Sequence, residues 1–334
     1  MPRRHRHGRC GPAPLILTVA NPHPPLPLVV LGGSDRAPAR LPPSGRSSRP
    51  LTGCKGVDLE ISGRPLIREI VDRLRATGRF AEVFIAGPAH AYRDVVPGAA
   101  LVDTDADFGT NIRAAVEAVR ARHEEGPIAF STCDILPTAS DLEKSLQDFD
   151  REPDADIWFP IVEAPEDSKA LGASSWKPRY LLNDGGRTVA VLPGHLAVVD
   201  PDAVRLRFMY RLLRTAYQTR NRSIGTRRSA LLRRMLADIL FHDVLHLFRL
   251  RLPTLTWDTV IAGLRGTRRL RDQTLTREEL QRTLRKLFVK RSHRRRFPER
   301  RVRIPILHAL SLARDIDTLE EAESIGVTAA PSSS

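Results

Sequence analysis

The sequence predicts an α/β fold, a mostly parallel sheet with helices on both faces and an α-helical insertion before the last strand. Short apolar runs recur along the first half of the chain, at Leu26 to Leu31, in EVFIAG, at Ala100 to Val102, at Ile128 to Ser131 and at Ile157 to Val162. Between them lie stretches with helical spacing of apolar residues, and strands alternating with helices of that length form βαβ units with right-handed crossovers. After Pro201 the pattern changes to Arg- and Leu-rich amphipathic helices through about Lys290, and a strand-like VRIPIL follows at Val302 to Leu307.

Taken in order, LPLVVL stops at Gly32-Gly33, the mark of a buried strand running into a tight turn. A Pro-, Ser-, Arg- and Gly-rich spacer continues to Gly53. Pro65 suits the first position of a helix whose Leu66, Ile67, Ile70, Val71 and Leu74 share one face, ending at Thr77-Gly78. Helices are expected at Asn111 to His123 and Ser140 to Phe149, and two or three short strands within 179 to 200. The organisation expected is a disordered tail over 1 to 25, an α/β core over 26 to 201, a basic helical insertion over 202 to 300, a final strand and helix over 301 to 327, and a tail over 328 to 334.

With 334 residues, 41% of them hydrophobic, the chain can bury a sizeable core. No apolar run approaches the roughly 18 to 20 residues that cross a bilayer, and a cytoplasmic location is expected. Three scattered cysteines, Cys10, Cys54 and Cys133, fit neither a disulfide framework nor a C-x-x-C metal site. A net charge of +14 favours anionic partners, while 5% aromatic content argues against a specific nucleic-acid binder that stacks bases.

In a doubly wound sheet, ligands sit beyond the carboxyl ends of the strands, so the residues that follow each apolar run are the candidates. In Gly32-Gly33-Ser34-Asp35-Arg36 the glycines let backbone N–H groups approach phosphate oxygens and Arg36 adds a charged fork, although an ordinary Gly-Gly turn reads the same. Lys55 precedes GVDLEISGRPLI and suits neutralisation of a leaving pyrophosphate, or is a solvated surface lysine. Asp134, directly after a strand, projects where a magnesium-binding carboxylate would meet phosphates, or caps a turn. Near the end, Asp315 and Asp317 flank Ile316 and share one face if extended, with Thr318 capping a helix that carries Glu320 and Glu321.

Together these features resemble the nucleotidyltransferase branch of the nucleotide-diphospho-sugar transferase fold, a GT-A-like, Rossmann-like sheet. They are most similar to the group related to molybdenum-cofactor guanylyltransferase. Lys55 with GVDLEISGRPLI resembles that family's opening phrase, Asp134 its later strand-end aspartate, and DIDTLEEA its closing phrase, over residues 26 to 325. The resemblance implies an enzyme that joins a nucleoside triphosphate to a phosphorylated small-molecule acceptor and releases pyrophosphate. Asp134 and Asp317 would hold Mg2+, Gly32, Gly33 and Lys55 would cradle phosphates, and Arg36 would assist. The segment from Asp107 to Asn111 would form a loop near the nucleotide and cap a helix beginning at Ile112. Two departures stand out, the long spacer over Ala37 to Gly53 and Pro193-Gly194-His195 where some relatives carry a Gly-x-Asn phrase.

Other patterns are weaker. Asp103, Asp105 and Asp107 resemble a calcium loop, but the glycine falls one place late and Ala114 stands where glutamate is needed. The same residues spell the D-x-D of glycosyltransferases, at the wrong strand end for that role. His242 and His246 have the spacing of a zinc helix without its glutamate, which leaves packing histidines as the better reading. The run Lys290 to Arg296 reads as a solvated basic linker, and the Arg-interleaved face from Met235 to Leu252 as a solvated surface or an anionic-membrane contact. The rival from another class is a catalytically weak nucleotide- or anionic-surface-binding protein.

Overall fold

The computed structural model describes residues 24–36, 48–151, 154–177, 179–219 and 275–329. His242, His246, the Met235 to Leu252 face, residues 1–23 of the first predicted tail and 330–334 of the second lie outside the described residues, while Thr328 and Ala329, expected in that second tail, are a short strand paired to Glu60 and Leu59.

In chain order the elements are β1 (Leu26–Leu31), α1 (Lys55–Asp58), β2 (Leu59–Ile61), β3 (Arg64–Pro65), α2 (Leu66–Ala76), β4 (Phe80–Gly87), α3 (Ala89–Tyr92), β5 (Ala100–Asp103), α4 (Phe108–Arg120), β6 (Ile128–Thr132), α5 (Ala139–Arg151), β7 (Ala155–Trp158) and β8 (Ile161–Glu163). A 3-10 segment (Ser168–Ser174) leads to β9 (Tyr180–Asp184), β10 (Arg187–Pro193), β11 (Leu196–Val199) and α6 (Leu206–Gln218). Then come α7 (Arg277–Phe288), α8 (Arg291–Arg296), β12 (Arg301–Arg303), β13 (Ile306–Leu307), a 3-10 turn (Leu310–Leu312), α9 (Leu319–Ser324) and β14 (Thr328–Ala329).

Seven strands form the central sheet in the order β12-β7-β11-β6-β1-β4-β5. The β1–β4, β1–β6, β4–β5 and β7–β12 pairs are parallel, and only β11 runs against its neighbours, so the predicted mostly parallel sheet is what forms. Side-chain alternation along β1 assigns its two faces. Leu28 and Val30 pack with α2 and α5, whereas Val29 and Leu31 pack with α4, α6 and α7. Helices therefore cover both faces, and parallel strands buried on both sides read as unbroken apolar runs. The phrase EISGRPLI is a hairpin. Ser62 and Gly63 both have positive φ, 50° and 73°, the two-residue turn that joins β2 to β3 ahead of α2.

Three predicted elements change shape. The run Ile157 to Val162 is two strands, because Pro160 breaks it and β8 leaves for a second sheet ordered β13-β8-β10-β9. VRIPIL breaks the same way at Pro305, and the two chains cross together, with Phe159 N–H donating to the Arg303 carbonyl (2.9 Å) and Ile161 N–H to that of Pro305 (2.9 Å). Proline lacks the N–H that a continuous ladder needs, so each chain turns at its proline. The last sheet strand pairs with β7 at the edge of the sheet and not with β6, the strand that precedes Asp134. Finally α4 starts at Phe108, not Ile112, because Asp107 is its N-cap.

Candidate active site

Strands β1, β4, β5 and β6 end together, Leu31 lying level with Ala86 and Thr132, and Gly87 level with Asp103. Beyond β1 the chain reaches Asp35, whose backbone exchanges two hydrogen bonds with Gly53 (2.9 and 3.0 Å) and so sets Lys55, at the start of α1, beside it. Beyond β6 the chain reaches Asp134, whose carbonyl accepts the N–H of Ile316 at 2.7 Å, and Ile135 bridges Asp315. The segment 315–317 is thereby held extended. Ile316 points into the core, 1% exposed, so Asp315 and Asp317 emerge on the opposite side. The Asp317 carbonyl accepts from Leu51 N–H (2.8 Å), and Thr318 forms a capping box with Glu321 at the head of α9.

Two buried lysines organise the acids. Lys55 Nζ lies 2.7 Å from Asp317 Oδ1, 3.1 Å from Asp35 Oδ2 and 3.5 Å from Asp134 Oδ2. Lys177 Nζ lies 2.5 Å from Asp315 Oδ1, 3.4 Å from Asp317 Oδ2 and 3.3 Å from Glu321 Oε1. Burial works to discharge both ammoniums, but the surrounding carboxylates outweigh it and push both pKa values up, so both lysines stay charged. Burial likewise opposes ionisation of Asp315, yet Lys177 and His195 beside it hold its carboxyl below the usual range. Burial wins at Glu321, whose carboxyl is pushed up.

Five carboxylates face two ammoniums here, a formal excess of three negative charges. Oxygens of Asp134, Asp315 and Asp317 all lie within 4.8 Å of one another. Asp134 Oδ1 is buried and has no hydrogen-bond partner among the described residues. Asp134, Asp315 and Asp317 are the residues of this cluster that could hold a metal ion. Cys54 and Cys133 are no nucleophiles in this corner, since burial pushes their thiols up to about 11 and about 12 respectively.

Residues 44–224, more than half of the chain, match the family profile described as the MobA-like NTP transferase domain. The chain belongs to this family. Membership makes it a nucleotidyltransferase, in keeping with the resemblance carried by Lys55, Asp134 and DIDTLEEA. No curated protein matches the chain. Among solved structures it is similar to a CMP:2-keto-3-deoxy-manno-octonic acid synthetase complexed with CTP, at 17% identity and TM-score 0.39, covering 57% of this chain and 78% of that one. It is also similar to the bifunctional IspDF from Campylobacter jejuni, at 10% identity and TM-score 0.37, over 57% of this chain and 43% of that one. A third is HddC from Yersinia pseudotuberculosis complexed with GMP-PN, at 14% identity and TM-score 0.37, over 55% and 79%. Scores this low carry no argument, and family membership rests on the profile match.

Against this MobA-like frame, the structure brings together Lys55, Asp134 and Asp317 of the predicted site, with Asp315 added. It does not bring in Arg36, whose exposed guanidinium donates to the Asp105 carbonyl at 2.7 Å. Gly32 has a packing reason for lacking a side chain, since a Cβ there would lie 2.9 Å from the Tyr92 ring. Its N–H donates to the Ala86 carbonyl at 2.8 Å, which corrects the expectation that this group faces phosphate. A Cβ on Gly33 would lie 2.8 Å from Asn111 Nδ2. Asn111 sits inside α4, not in a loop, and its Oδ1 accepts from Thr104 Oγ1 (2.8 Å) and Ala106 N–H (2.9 Å), tying down the turn after β5.

The D-x-D residues are occupied by structural duties. Asp103 accepts from Ala89 N–H at 2.8 Å, Asp105 accepts from Ser34 N–H (2.9 Å) and Oγ (2.7 Å), and Asp107 accepts from Thr110 N–H (3.1 Å) and Oγ1 (2.8 Å) while meeting Arg214 Nε at 3.0 Å. His195 borders the site, with Nδ1 3.3 Å from Thr132 Oγ1 and Nε2 3.9 Å from Asp315. Lys290 to Arg296 is not a bare linker, because His293 Nε2 reaches Asp156 at 3.0 Å. Sequence reasoning missed Lys177 and the part taken by Asp35. Asp35 lay inside a quoted motif, whereas Lys177 follows Trp176 in a stretch with no periodicity and no motif, so only tertiary contact reveals it.

Proposed function

We propose that the chain is a magnesium-dependent nucleotidyltransferase that joins a nucleoside triphosphate to a phosphorylated small-molecule acceptor and releases pyrophosphate, working in the cytoplasm. The observation that carries this reading is the meeting of Asp134, Asp315 and Asp317 within 4.8 Å beside Lys55, beyond the carboxyl end of β6. The donors are all carboxylate oxygens, which suit a hard divalent cation, and the unpartnered Asp134 Oδ1 supplies an open ligand. Asp134 and Asp317 would hold magnesium, with Asp315 in support. Bound there, magnesium would supply Lewis-acid charge to phosphate oxygens.

The chain's own groups do the rest. Lys55 and Lys177 keep fixed positive charge within the acidic cluster, and Gly33, whose missing side chain admits Asn111, would offer its backbone to phosphate at the end of β1. An oxygen of the acceptor phosphate attacks the α-phosphorus in line. The new P–O bond forms as the bond to pyrophosphate breaks, and pyrophosphate leaves with the electron pair. The acceptor oxygen is already anionic, so no protein base is needed, and positioning carries the rate.

The D-x-D glycosyltransferase reading loses its support, because those three carboxylates are committed to Ala89, Ser34 and Thr110. The weak-binder reading is favoured by the exposed Arg36 and the spent Gly32 N–H. A panel of nucleoside triphosphates with and without magnesium separates the two. A ligand at 100 times its dissociation constant adds about 2.7 kcal/mol of stability. Magnesium-dependent stabilisation by one nucleotide, with pyrophosphate release once a phosphorylated acceptor is added, is the expected result. Stabilisation without release would favour the weak binder, and no stabilisation by any nucleotide would sink the assignment.

A further inference from the structure

The three carboxylates beside Lys177 form a second constellation, distinct from the one around Lys55. Asp317 is shared, Oδ1 facing Lys55 at 2.7 Å and Oδ2 facing Lys177 at 3.4 Å. Asp315 Oδ1 and Glu321 Oε1 complete the ring around Lys177 Nζ, at 2.5 and 3.3 Å, and the Asp315 backbone carbonyl also accepts from it. An ammonium held by three carboxylates and a carbonyl has the donor set of an oxygen-liganded cation site. Its side chain is 9% exposed and comes from outside the segment 315–317 and the helix α9 that deliver the acids, three residues beyond the 3-10 segment. Trp176 lies alongside, its ring centroid 5.4 Å from Nζ.

We propose that Lys177 is a positioning residue that occupies, as a tethered cation, the place a second divalent ion would otherwise take. It fixes Asp315 and Asp317 for a single exchangeable ion on the Asp134 side. The proposal rests on the magnesium reading above. Its physical basis is charge. Five carboxylates converge and Lys55 and Lys177 neutralise two; of the cluster's two buried carboxylate oxygens without a hydrogen bond among the described residues, Glu321 Oε1 ion-pairs with Lys177 at 3.3 Å, whereas Asp134 Oδ1 lies on a carboxylate that Lys55 reaches and Lys177 does not. A tethered cation needs no free metal and cannot be removed by dilution, so the site would need only one ion.

The test counts Mn2+ ions per chain on the full-length protein, by titration followed with electron paramagnetic resonance. The native protein should bind one, Asp134→Asn should bind none with comparable affinity, and Lys177→Ala should bind two. Lys177→Ala leaves three carboxylates facing one another, so Lys177→Ala/Glu321→Gln is measured beside it. That variant relieves part of the repulsion and keeps Asp315 and Asp317, and a second Mn2+ in either variant supports the proposal. Lys177→Ala/Asp315→Asn should lose that second ion. One Mn2+ in the native protein and still one in both Lys177 variants overturns the proposal while the magnesium reading stands. Two in the native protein also overturns it, and none in the native protein overturns both.

Discussion

Two buried charge clusters sit at opposite ends of the central sheet and are built on opposite plans. Beyond the end of β6, five carboxylates outnumber two lysines. At the end where β6 begins, Asp156 and Asp200 are matched by Arg300 and His293, Arg300 reaching both acids at 3.1 Å and His293 reaching Asp156 at 3.0 Å. Among the described residues the acidic cluster leaves two buried carboxylate oxygens without a hydrogen bond, on Asp134 and Glu321, and the other cluster leaves one, on Asp156. Asp156 is fully buried and faced by Arg300 and the His293 ring, whereas the Asp134 side chain keeps 21% of its surface. The comparison teaches that charge balance and access, not burial of an acid as such, are what set the two clusters apart. Burial pushes the Asp156 carboxyl up despite Arg300 and His293, as befits a group closed off from water.

The contrast breaks most visibly at Asp134. Asp134→Asn keeps the shape and removes a full charge from the unbalanced cluster, so pyrophosphate release should fall roughly a hundred- to a thousand-fold, with unfolding free energy within about 1 kcal/mol of native. Asp315→Asn should reduce turnover less. Near-normal turnover in Asp134→Asn would place the chemistry elsewhere. Arg300→Met should do the reverse. Removing one partner of a buried pair costs about 3–5 kcal/mol, read as a lower urea midpoint, while the folded enzyme keeps its turnover. A large loss of turnover in fully folded Arg300→Met would show that the two ends are not independent.

The smallest effect sharpens the comparison just beyond the end of β5, at the same end of the sheet as Asp134. Asp107→Ala removes the cap of α4 and should cost about 1 kcal/mol of stability without weakening nucleotide binding. Should nucleotide affinity fall with stability unchanged, Asp107 is a ligand contact and the D-x-D residues return to consideration.

Much of the fold was legible because its signals are local. LPLVVL, EVFIAG and the apolar face from Leu66 to Leu74 formed the elements their spacing implied, since a parallel strand buried on both faces must be apolar throughout. Errors fell where proline or a cap overrode the apolar count, at Pro160, Pro305 and Asp107. In the site, Lys55, Asp134 and the DIDT segment stood out because each follows a recognisable phrase at an element end.

By itself, then, the sequence determined the alternation of strands and helices, the Thr318 capping box and the family-like phrases around Lys55 and Asp317, all set by residues close in the chain. Only tertiary structure decided that the chain after Asp134 meets the 315–317 segment through the isolated Ile135–Asp315 bridge and not through neighbouring strands, that Lys177 closes the acidic ring, and that Arg36 stays outside it. The physical reason is that ion pairs are fixed by distance in space. Lys55 and Asp317 are 262 positions apart along the chain and 2.7 Å apart in the fold, and no periodicity records that meeting.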